Sequence, residues 1–276
     1  MAGKNVDSEF LYLKAFSIKK RFLSMYSKAG AGHIGSSLSA AEILAFLFFG
    51  WMEAADEMIL SKGHAAALLY STLAEKEILS SEDIDSFYQN DTYLAAHPPP
   101  NKIRKIPFAT GSLGHGLSLS AGLGFAKRLK ETSEKIFCVT SDGELNEGSI
   151  WEAAMFIAHH KLRNVIWIID KNNFQGFGST QEVMNLDPLA DKLRSFQFDC
   201  IEIDGHDFGE WQKAKEYADQ CEKPLAIIAK TIKGKDWQTH QNTMDSHYLP
   251  FKDKQFEETL TILEIQYQEQ IIRLNN

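Results

Sequence analysis

Two polar segments follow apolar runs and contain residue types that bind divalent cations. Asp142-Gly143 follows the apolar run at 135–141, and Asn172 follows the run at 165–170. Carboxylate and amide oxygens are hard donors, which suit Mg²⁺ or Ca²⁺ and do not suit zinc. Because Mg²⁺ usually completes its coordination shell with phosphates and water, this pair predicts a diphosphate-bearing ligand held through the metal. The glycine would let a backbone N–H approach the anion, and the start of the following helix would add a partial positive charge.

Ordinary turns and loops are the alternative explanation of the same residues. A lone Asp-Gly such as Asp142-Gly143 is most often a turn, and a lone Asn-Asn such as Asn172-Asn173 is most often a loop. The presence of both at the ends of two successive predicted strands favours a functional site.

The predicted elements around these segments form a parallel sheet. Apolar, β-rich runs lie at 135–141, 165–170, 198–203 and 225–230, with helical stretches between them at 148–160, 187–196 and 207–221. This alternation is typical of a doubly wound α/β fold, whose mainly parallel sheet carries helices on both faces. Ligands bind beyond the carboxyl ends of such strands. Asp142 and Asn172 lie 30 positions apart across one βαβ unit, so we expect them to lie side by side.

The remaining segments predict a helical layer before the sheet and a polar helix after it. Helices are predicted at 7–29, 38–49, 63–77, 81–89 and 252–274, with proline-rich irregular structure at 90–112. Ser39 is the expected N-cap of the second helix with Glu42 at capping-box spacing, and Ser80 precedes the fourth helix. No linker or repeat divides the chain, so we predict one domain over residues 1–276.

Composition and charge exclude several classes of protein. The chain has 276 residues, of which 44% are apolar and 24% charged, and a formal net charge of −8. This acidic balance, without blocks of like charge, argues against nucleic acids and anionic membranes as partners. No apolar run approaches the roughly 20 residues of a spanning helix, and the first residues lack a secretory-signal layout. Three widely spaced cysteines form no disulfide or metal framework, so we expect a cytoplasmic protein.

Several ordered motifs together resemble those of the transketolase family. Asp142-Gly143, followed 30 positions later by an Asn that closes an apolar strand, is similar to the thiamine diphosphate signature. The other matching segments are Gly32-His33-Ile34-Gly35, Ser61-Lys62-Gly63-His64, His97-Pro98, residues 110–116, Glu147-Gly148, residues 204–207 and residues 230–234. A full-length transketolase also carries a pyrimidine-binding and a C-terminal domain. The resemblance therefore implies the thiamine diphosphate-binding fold and the N-terminal, pyrophosphate-binding subunit of a split transketolase.

The resemblance implies a site for thiamine diphosphate and Mg²⁺, or Ca²⁺, and assigns residues to it. The side chains of Asp142 and Asn172 and the backbone carbonyl of Phe174 match the metal ligands. The residues that match cofactor contacts are His64, Gly111, Leu113, Asp142, Gly143, Glu147 and Asn172. Glu147 matches a carboxylate buried near the active-site interface.

Three histidines match catalytic residues of the family. His33 and His97 match side chains at the substrate carbonyl and hydroxyls, and His247 matches a late histidine near the diphosphate and substrate. A lone histidine is more often an ordinary surface residue, and His97, which precedes three prolines, could be a rigid loop residue. The matched histidines would transfer protons while a carbon–carbon bond is broken or formed. The implied reaction moves a two-carbon ketol unit from a ketose to an aldehyde.

The resemblance also implies partners. In this family the glutamate that activates the cofactor lies on the pyrimidine-binding domain, so a separate C-terminal subunit is expected to supply it. We expect self-association across a two-fold axis to a heterotetramer, sugar substrates, and an isolated subunit that is inactive and binds cofactor weakly. The apolar faces of helices 39–51 and 150–158 are either core or interface.

Departures from the family pattern leave the donor sugar open. Ser141 replaces a glycine, His115 replaces a glutamine beside the cofactor, and Gly176 lacks the usual apolar side chain. Three basic residues are candidates for binding a sugar phosphate, with a solvated loop as the alternative: Lys102, Arg104 and Lys105.

Two other functions fit part of the pattern. A nucleotide- or flavin-binding oxidoreductase domain would show the same alternation of strands and helices, but no strand here is followed by G-x-G-x-x-G. A non-catalytic scaffold derived from a transketolase half is the second alternative. The presence of Asp142, Asn172, His33 and His64 argues against it.

Overall fold

The computed structural model describes residues 7–100 and 102–275. The helices are α1 (Ser8–Ala29), α2 (Ile34–Ser39), α3 (Ala41–Phe46), α4 (Ala66–Glu75), α5 (Ser81–Asp85), α6 (His115–Leu129), α7 (Gly148–His159), α8 (Thr180–Met184), α9 (Leu189–Ser195), α10 (Phe208–Ala218), α11 (Asp245–Tyr248) and α12 (Gln255–Leu274). The strands are β1 (Glu57–Leu60), β2 (Ile136–Ser141), β3 (Val165–Lys171), β4 (Phe174–Gln175), β5 (Gly178–Ser179), β6 (Asp199–Asp204) and β7 (Leu225–Lys230). A π-helical turn covers Leu47–Trp51, and 3-10 turns cover Gly63–Ala65 and Gly143–Asn146.

The central sheet has five parallel strands in the order β1-β2-β3-β7-β6, which confirms the predicted fold class. β2 and β3 are neighbours, and their register pairs Ser141 with Asp170 at the carboxyl ends. β4 and β5 form a separate antiparallel hairpin directly after β3. The segments that carry Asp142 and Asn172 therefore leave the sheet at adjacent positions.

Alternate residues of each central strand pack into two hydrophobic cores, one on each face of the sheet. Ile166 and Ile168 join the larger core, which includes residues of α1 to α4, α10 and α12. Trp167 and Ile169 join the second core, with residues of α6, α7 and α9. Because both faces are covered, the strands read as continuous apolar runs, as parallel strands of α/β proteins do.

Several element predictions were wrong. β1 was not predicted, because it has only four residues and begins with Glu57. α6 was also missed; it starts after Gly114, whose φ of 86° belongs to the left-handed region. The helix predicted at 38–49 is broken at Ala40, so Ser39 is not its N-cap. Instead, the hydroxyl of Ser39 donates a 2.7 Å hydrogen bond to Asp170.

Other features follow the predictions closely. Ser80 caps α5 and forms a reciprocal capping box with Asp83. The apolar face predicted at 39–51 is core, and the side chains of Ile43, Leu44 and Phe46 are fully buried. Among the described residues, no helix is both long and apolar enough to span a membrane. The single domain over 1–276 stays a prediction, and residues 1–6, 101 and 276 lie outside the described residues.

Candidate active site

The ends of β2 and β3 bring the two predicted metal-binding segments together. The backbone N–H of Asp142 donates to the carbonyl of Asp170 at 3.2 Å, which continues the ladder past the last paired residues. One carboxylate oxygen of Asp142 accepts the N–H of Gly143 at 2.9 Å, and the other accepts the N–H of Asn173 at 2.5 Å. The amide oxygen of Asn172 accepts the N–H of Phe174 at 3.1 Å. Asp142 and Asn172 are thus neighbours, as the βαβ spacing predicted.

Buried charges of both signs surround this strand-end pair. Burial, together with the negative charge of Asp170, raises the pKa of Asp142 to about 7. Burial, together with the positive charge of Lys62, lowers the pKa of Lys233 to about 7. A buried carboxylate that resists ionisation is stabilised by a cation, and a buried ammonium is stabilised by an anion. The site therefore favours a cation and an anion bound together.

Four histidines predicted to act on cofactor or substrate converge beside these charges. The ring centroids of His33 and His64 are 5.2 Å apart, and those of His33 and His247 are 5.1 Å apart. His64 and His247 are 5.4 Å apart, and the more exposed His97 lies 6.4 Å from His33. Segments separated by more than two hundred positions (33 to 247) therefore meet in one cluster.

Burial keeps these imidazoles neutral. It lowers the pKa of His33 to about 4 and that of His247 to about 3, with Lys233 contributing to both shifts. Burial also holds the pKa of His64 well below its usual range, and it lowers the pKa of His97. A neutral imidazole offers one ring nitrogen as a proton acceptor and one as a donor, which suits proton transfer at hydroxyl groups.

A buried polar network lies among these groups, and none of its contacts was predicted from the sequence. Lys62 forms a fully buried ion pair with Asp170, which also accepts hydrogen bonds from the hydroxyls of Ser39 and Thr231. Lys233 donates to the hydroxyl of Ser36 at 2.7 Å and lies 3.2 Å from Nδ1 of His247. The signal was present, because both lysines and Thr231 lie in segments that match family motifs.

Glu144 is a second buried carboxylate of the Asp142–Gly148 segment, and the expectation that Glu147 is buried at an interface between subunits stays a prediction. Glu147 is exposed immediately before α7, at its N-cap position. Glu144 is fully buried; it accepts the N–H of Gly114 at 2.8 Å and a hydrogen bond from the hydroxyl of Ser61. Glu144 therefore joins the end of β2 to the turn that precedes α6.

The predicted cofactor-lining turn packs against His97. Gly111 has a φ of 137°, and a Cβ at this position would lie 2.6 Å from Cδ2 of His97. Only glycine combines this backbone conformation with this close approach. Leu113 follows in the same turn and is half-buried.

One basic candidate for a sugar phosphate has a structural role instead. The ammonium of Lys105 donates to the carbonyls of Ala54 and Asp56 at 2.8 and 2.7 Å, so it anchors the loop before β1. Lys102 and Arg104 are exposed.

Comparisons with known proteins agree with this geometry. The family model "Transketolase, thiamine diphosphate binding domain" matches residues 14–273. The chain belongs to the transketolase family. It is 36% identical to the 6-deoxy-6-sulfo-D-fructose transketolase subunit SqwG of Clostridium sp. (strain MSTE9), covering 96% of this chain and 98% of that protein. It is 34% identical to an apulose-4-phosphate transketolase subunit of Phocaeicola vulgatus, covering 91% and 93% of the two chains.

The solved structures support the same assignment of fold. A transketolase from Campylobacter jejuni superposes with a TM-score of 0.88 at 30% identity, covering 95% of this chain and 43% of that chain. The present chain thus spans less than half of that transketolase. The predicted family, fold and transferase class are confirmed.

Thiamine diphosphate with a divalent cation fits the residues present. Asp142 and Asn172 provide oxygen donors for a hard cation, and the buried Lys233 and the half-buried His64 provide N–H groups for an anion. Among the described residues, the buried atoms Nδ1 of His33 and Oγ1 of Thr110 have no hydrogen-bond partner. Unpartnered buried polar atoms are costly, so their occurrence beside the cluster is consistent with a polar ligand.

Proposed function

We propose that this chain is the N-terminal subunit of a two-chain, thiamine diphosphate-dependent transketolase that moves a two-carbon ketol unit from a ketose to an aldehyde. One observation carries the proposal. Asp142 and Asn172 follow adjacent parallel strands, and Lys233 lies against His247. Burial and Asp170 raise the pKa of Asp142, and Lys233 is close enough for its positive charge to oppose that rise. Metal-binding oxygens, a cation and a cluster of neutral histidines therefore share one site.

Asp142, Asn172 and the backbone carbonyl of Phe174 would hold the Mg²⁺ that binds together with the cofactor diphosphate. The N–H of Gly143 and the side chain of His64 would donate to phosphate oxygens, and Gly111 and Leu113 would line the rings. The hairpin formed by β4 and β5 begins at Phe174, so the metal would also fix this hairpin to the sheet. When bound, thiamine diphosphate supplies an electron sink for cleavage of the carbon–carbon bond.

The histidines of this chain would move the protons of the reaction. Because burial lowers their pKa values to about 4 and about 3, His33 and His247 are neutral at pH 7 and can accept a proton from a ketose hydroxyl. His97 is more exposed, and its ring lies 6.4 Å from that of His33. It would contact the substrate from the solvent side.

The substrate proposal is limited to a class of sugars. The two relatives named above carry the names of 6-deoxy-6-sulfo-D-fructose and apulose-4-phosphate, which are ketoses with an anionic group. We propose that this chain likewise acts on a ketose donor that carries a phosphate or another modification, and on an aldehyde acceptor.

The partner is a pyrimidine-binding, C-terminal transketolase subunit that supplies the activating glutamate. Both relatives are named as subunits and are nearly fully covered by this chain. We further propose that two such pairs associate about a two-fold axis. Met155 and Phe156 on α7 are 51% and 40% exposed, and this apolar surface is available for an interface.

Reconstitution of activity tests the proposal. Ketol transfer is measured with this chain by itself, with the C-terminal partner by itself and with both chains, in thiamine diphosphate and Mg²⁺. We expect transfer only with both chains, and a loss on the order of 100-fold in Asp142→Ala because a metal ligand is removed. Glu222→Ala is the matched control, since this exposed carboxylate precedes the amino end of β7, whereas the site lies at the carboxyl ends of the strands.

Two results would contradict the proposal. Full transfer by this chain alone would exclude the need for a partner. A stable complex of both subunits that binds no cofactor and transfers no ketol unit would favour the non-catalytic scaffold.

A further inference from the structure

Tyr248 is a half-exposed aromatic residue beside the histidine cluster, and neither the sequence motifs nor the proposed reaction assigns it a role. Its ring lies 4.6 Å from that of His247 in an edge-to-face arrangement and 6.3 Å from that of His33, centroid to centroid. The residue is 53% exposed and belongs to neither hydrophobic core. Its position is therefore not explained by packing of the fold.

The hydroxyl of Tyr248 reaches across the site to the hairpin that follows β3. It donates a 2.7 Å hydrogen bond to the carbonyl of Gly176, which lies in the turn between β4 and β5. The two residues are 72 positions apart in the chain. This bond therefore links the segment of His247 to the hairpin that begins at the proposed metal ligand Phe174.

Gly176 is the residue whose missing side chain makes this link possible. A Cβ at Gly176 would lie 2.7 Å from the Tyr248 hydroxyl oxygen, which is too close for two atoms that are not bonded. The sequence departs from the family pattern here, where an apolar side chain is usual. The phenol of Tyr248 thus occupies space that a side chain at residue 176 would otherwise fill.

The backbone of the Tyr248 segment is held by a second contact. The N–H of His33 donates to the carbonyl of His247 at 3.0 Å, so the loop before α2 fixes the residue next to Tyr248. The ring is consequently anchored at its backbone by the His33 loop and at its hydroxyl by the hairpin. A ring held at both ends forms a fixed wall, because it cannot rotate away without breaking the hydrogen bond.

We propose that Tyr248 is a specificity-determining residue that walls the donor pocket next to His33 and His247, with Gly176 as its partner. The inference rests on the proposed function and names a residue that selects the donor. The fixed ring limits the room beside the two histidines and presents an apolar face to the carbon chain of the sugar. Removal of the ring should therefore change kcat/KM by different factors for donors of different length and end group.

The test uses the complex of both subunits with thiamine diphosphate and Mg²⁺. The kcat/KM is measured for D-xylulose 5-phosphate, D-fructose 6-phosphate and 6-deoxy-6-sulfo-D-fructose, in wild type, Tyr248→Phe, Tyr248→Ala and Gly176→Ala. Tyr217→Phe is the matched control. It is a partly exposed tyrosine on α10, and its hydroxyl lies near Asp199, the first residue of β6, at the amino ends of the strands and away from the site.

For Tyr248→Ala we expect the ratio of kcat/KM between the best and worst donors to change by about tenfold or more, since pocket contacts discriminate substrates on this scale. Tyr248→Phe and Gly176→Ala should each lower kcat/KM by about two- to tenfold for every donor, because they break one hydrogen bond. Cofactor affinity should stay within about twofold of wild type, the size expected when no cofactor contact is lost. The control should match wild type throughout.

Three outcomes would overturn the inference. If the Tyr248→Ala complex is folded and active but its donor ratio matches wild type within about twofold, Tyr248 has only a structural role. If Tyr248→Phe loses cofactor binding, the residue positions the cofactor and does not select the donor. If the wild-type complex transfers no ketol unit from any of the three donors, the proposed function fails and this inference fails with it.

Discussion

Lys62 and Asp170 form a buried ion pair that supports the whole candidate site, and Lys62→Met tests its placement. Both side chains are fully buried. Lys62 also donates to the carbonyl of Ser36 at 2.8 Å, and Asp170 accepts from Asn172 at 3.2 Å. The substitution keeps a long, flexible side chain but leaves the Asp170 carboxylate without its cation.

The expected loss of unfolding free energy in Lys62→Met follows from the burial of the pair. Removing one partner of a buried pair costs about 3–5 kcal/mol, because the remaining charge is uncompensated. Asp170 keeps its hydrogen bonds from Ser39 and Thr231, so we expect a value near the lower end of that range. For a chain of this size, about 3–5 kcal/mol corresponds to a fall in Tm of about 5–9 °C.

The assay is urea and thermal unfolding of the cofactor-free chain, followed by circular dichroism. The double variant Lys62→Met/Asp170→Asn should recover most of the loss, because neither charge is then left unpaired. Lys28→Met is the control, since the Lys28–Asp85 pair is 68% and 65% exposed and should contribute less than about 1 kcal/mol. A Lys62→Met variant that unfolds within about 1 kcal/mol of wild type would refute the reasoning, because a buried unpaired carboxylate cannot cost so little.

Three further substitutions address other parts of the site and its support. Asp142→Asn should stabilise the cofactor-free chain at pH 8 by about 1–3 kcal/mol. Because the pKa of Asp142 is raised to about 7 in the folded state, the wild-type chain loses stability as the pH rises from about 4 through 7. In urea unfolding, the difference in stability between Asp142→Asn and wild type should therefore shrink as the pH is lowered towards 4. An unchanged difference across that range would contradict this. Gly111→Ala should lower the free energy of unfolding by about 1–3 kcal/mol and should lower kcat/KM, because residue 111 has a positive φ and a Cβ there would meet His97. An unchanged Tm in thermal unfolding would contradict the requirement for glycine in this turn. Glu42→Gln should cost about 1–3 kcal/mol at pH 7, because the buried Lys19 loses one of its two carboxylate partners and keeps Asp236. Although burial opposes it, the charge of Lys19 lowers the pKa of Glu42, so this deficit should shrink as pH falls below about 4.5, and a deficit that grew on acidification would be inconsistent.

The positions of Asp142 and Asn172 could be predicted from the sequence because they depend on local pattern and on one topological rule. Apolar runs marked β2 and β3, and sequential strands of a βαβ unit end at the same edge of a sheet. The convergence of His33, His64, His97 and His247 did not follow from pattern. It was expected only through the family resemblance, and the structure then placed the four rings in one cluster.

The polar network among these residues could not be predicted, because its members come from distant segments. Lys62 and Lys233 lie in segments that match family motifs, but neither motif names Asp170 as a neighbour, and only the packing of β1, β3 and the loop after β7 brings the three residues together. The same holds for Tyr248, whose partner is a backbone carbonyl in a hairpin. Hydrogen bonds to backbone atoms leave no residue-type pattern that a sequence could reveal.

Metal-dependent binding of thiamine diphosphate is the measurement that tests the central claim most directly. Calorimetry of this chain with its C-terminal partner is carried out with cofactor in Mg²⁺ and then in EDTA, for wild type and Asp142→Ala. We predict binding that requires Mg²⁺, is tighter with the partner than without it, and disappears in the variant. Equal affinity in EDTA, or no binding by the complex in Mg²⁺, would contradict a metal–diphosphate site at the ends of β2 and β3.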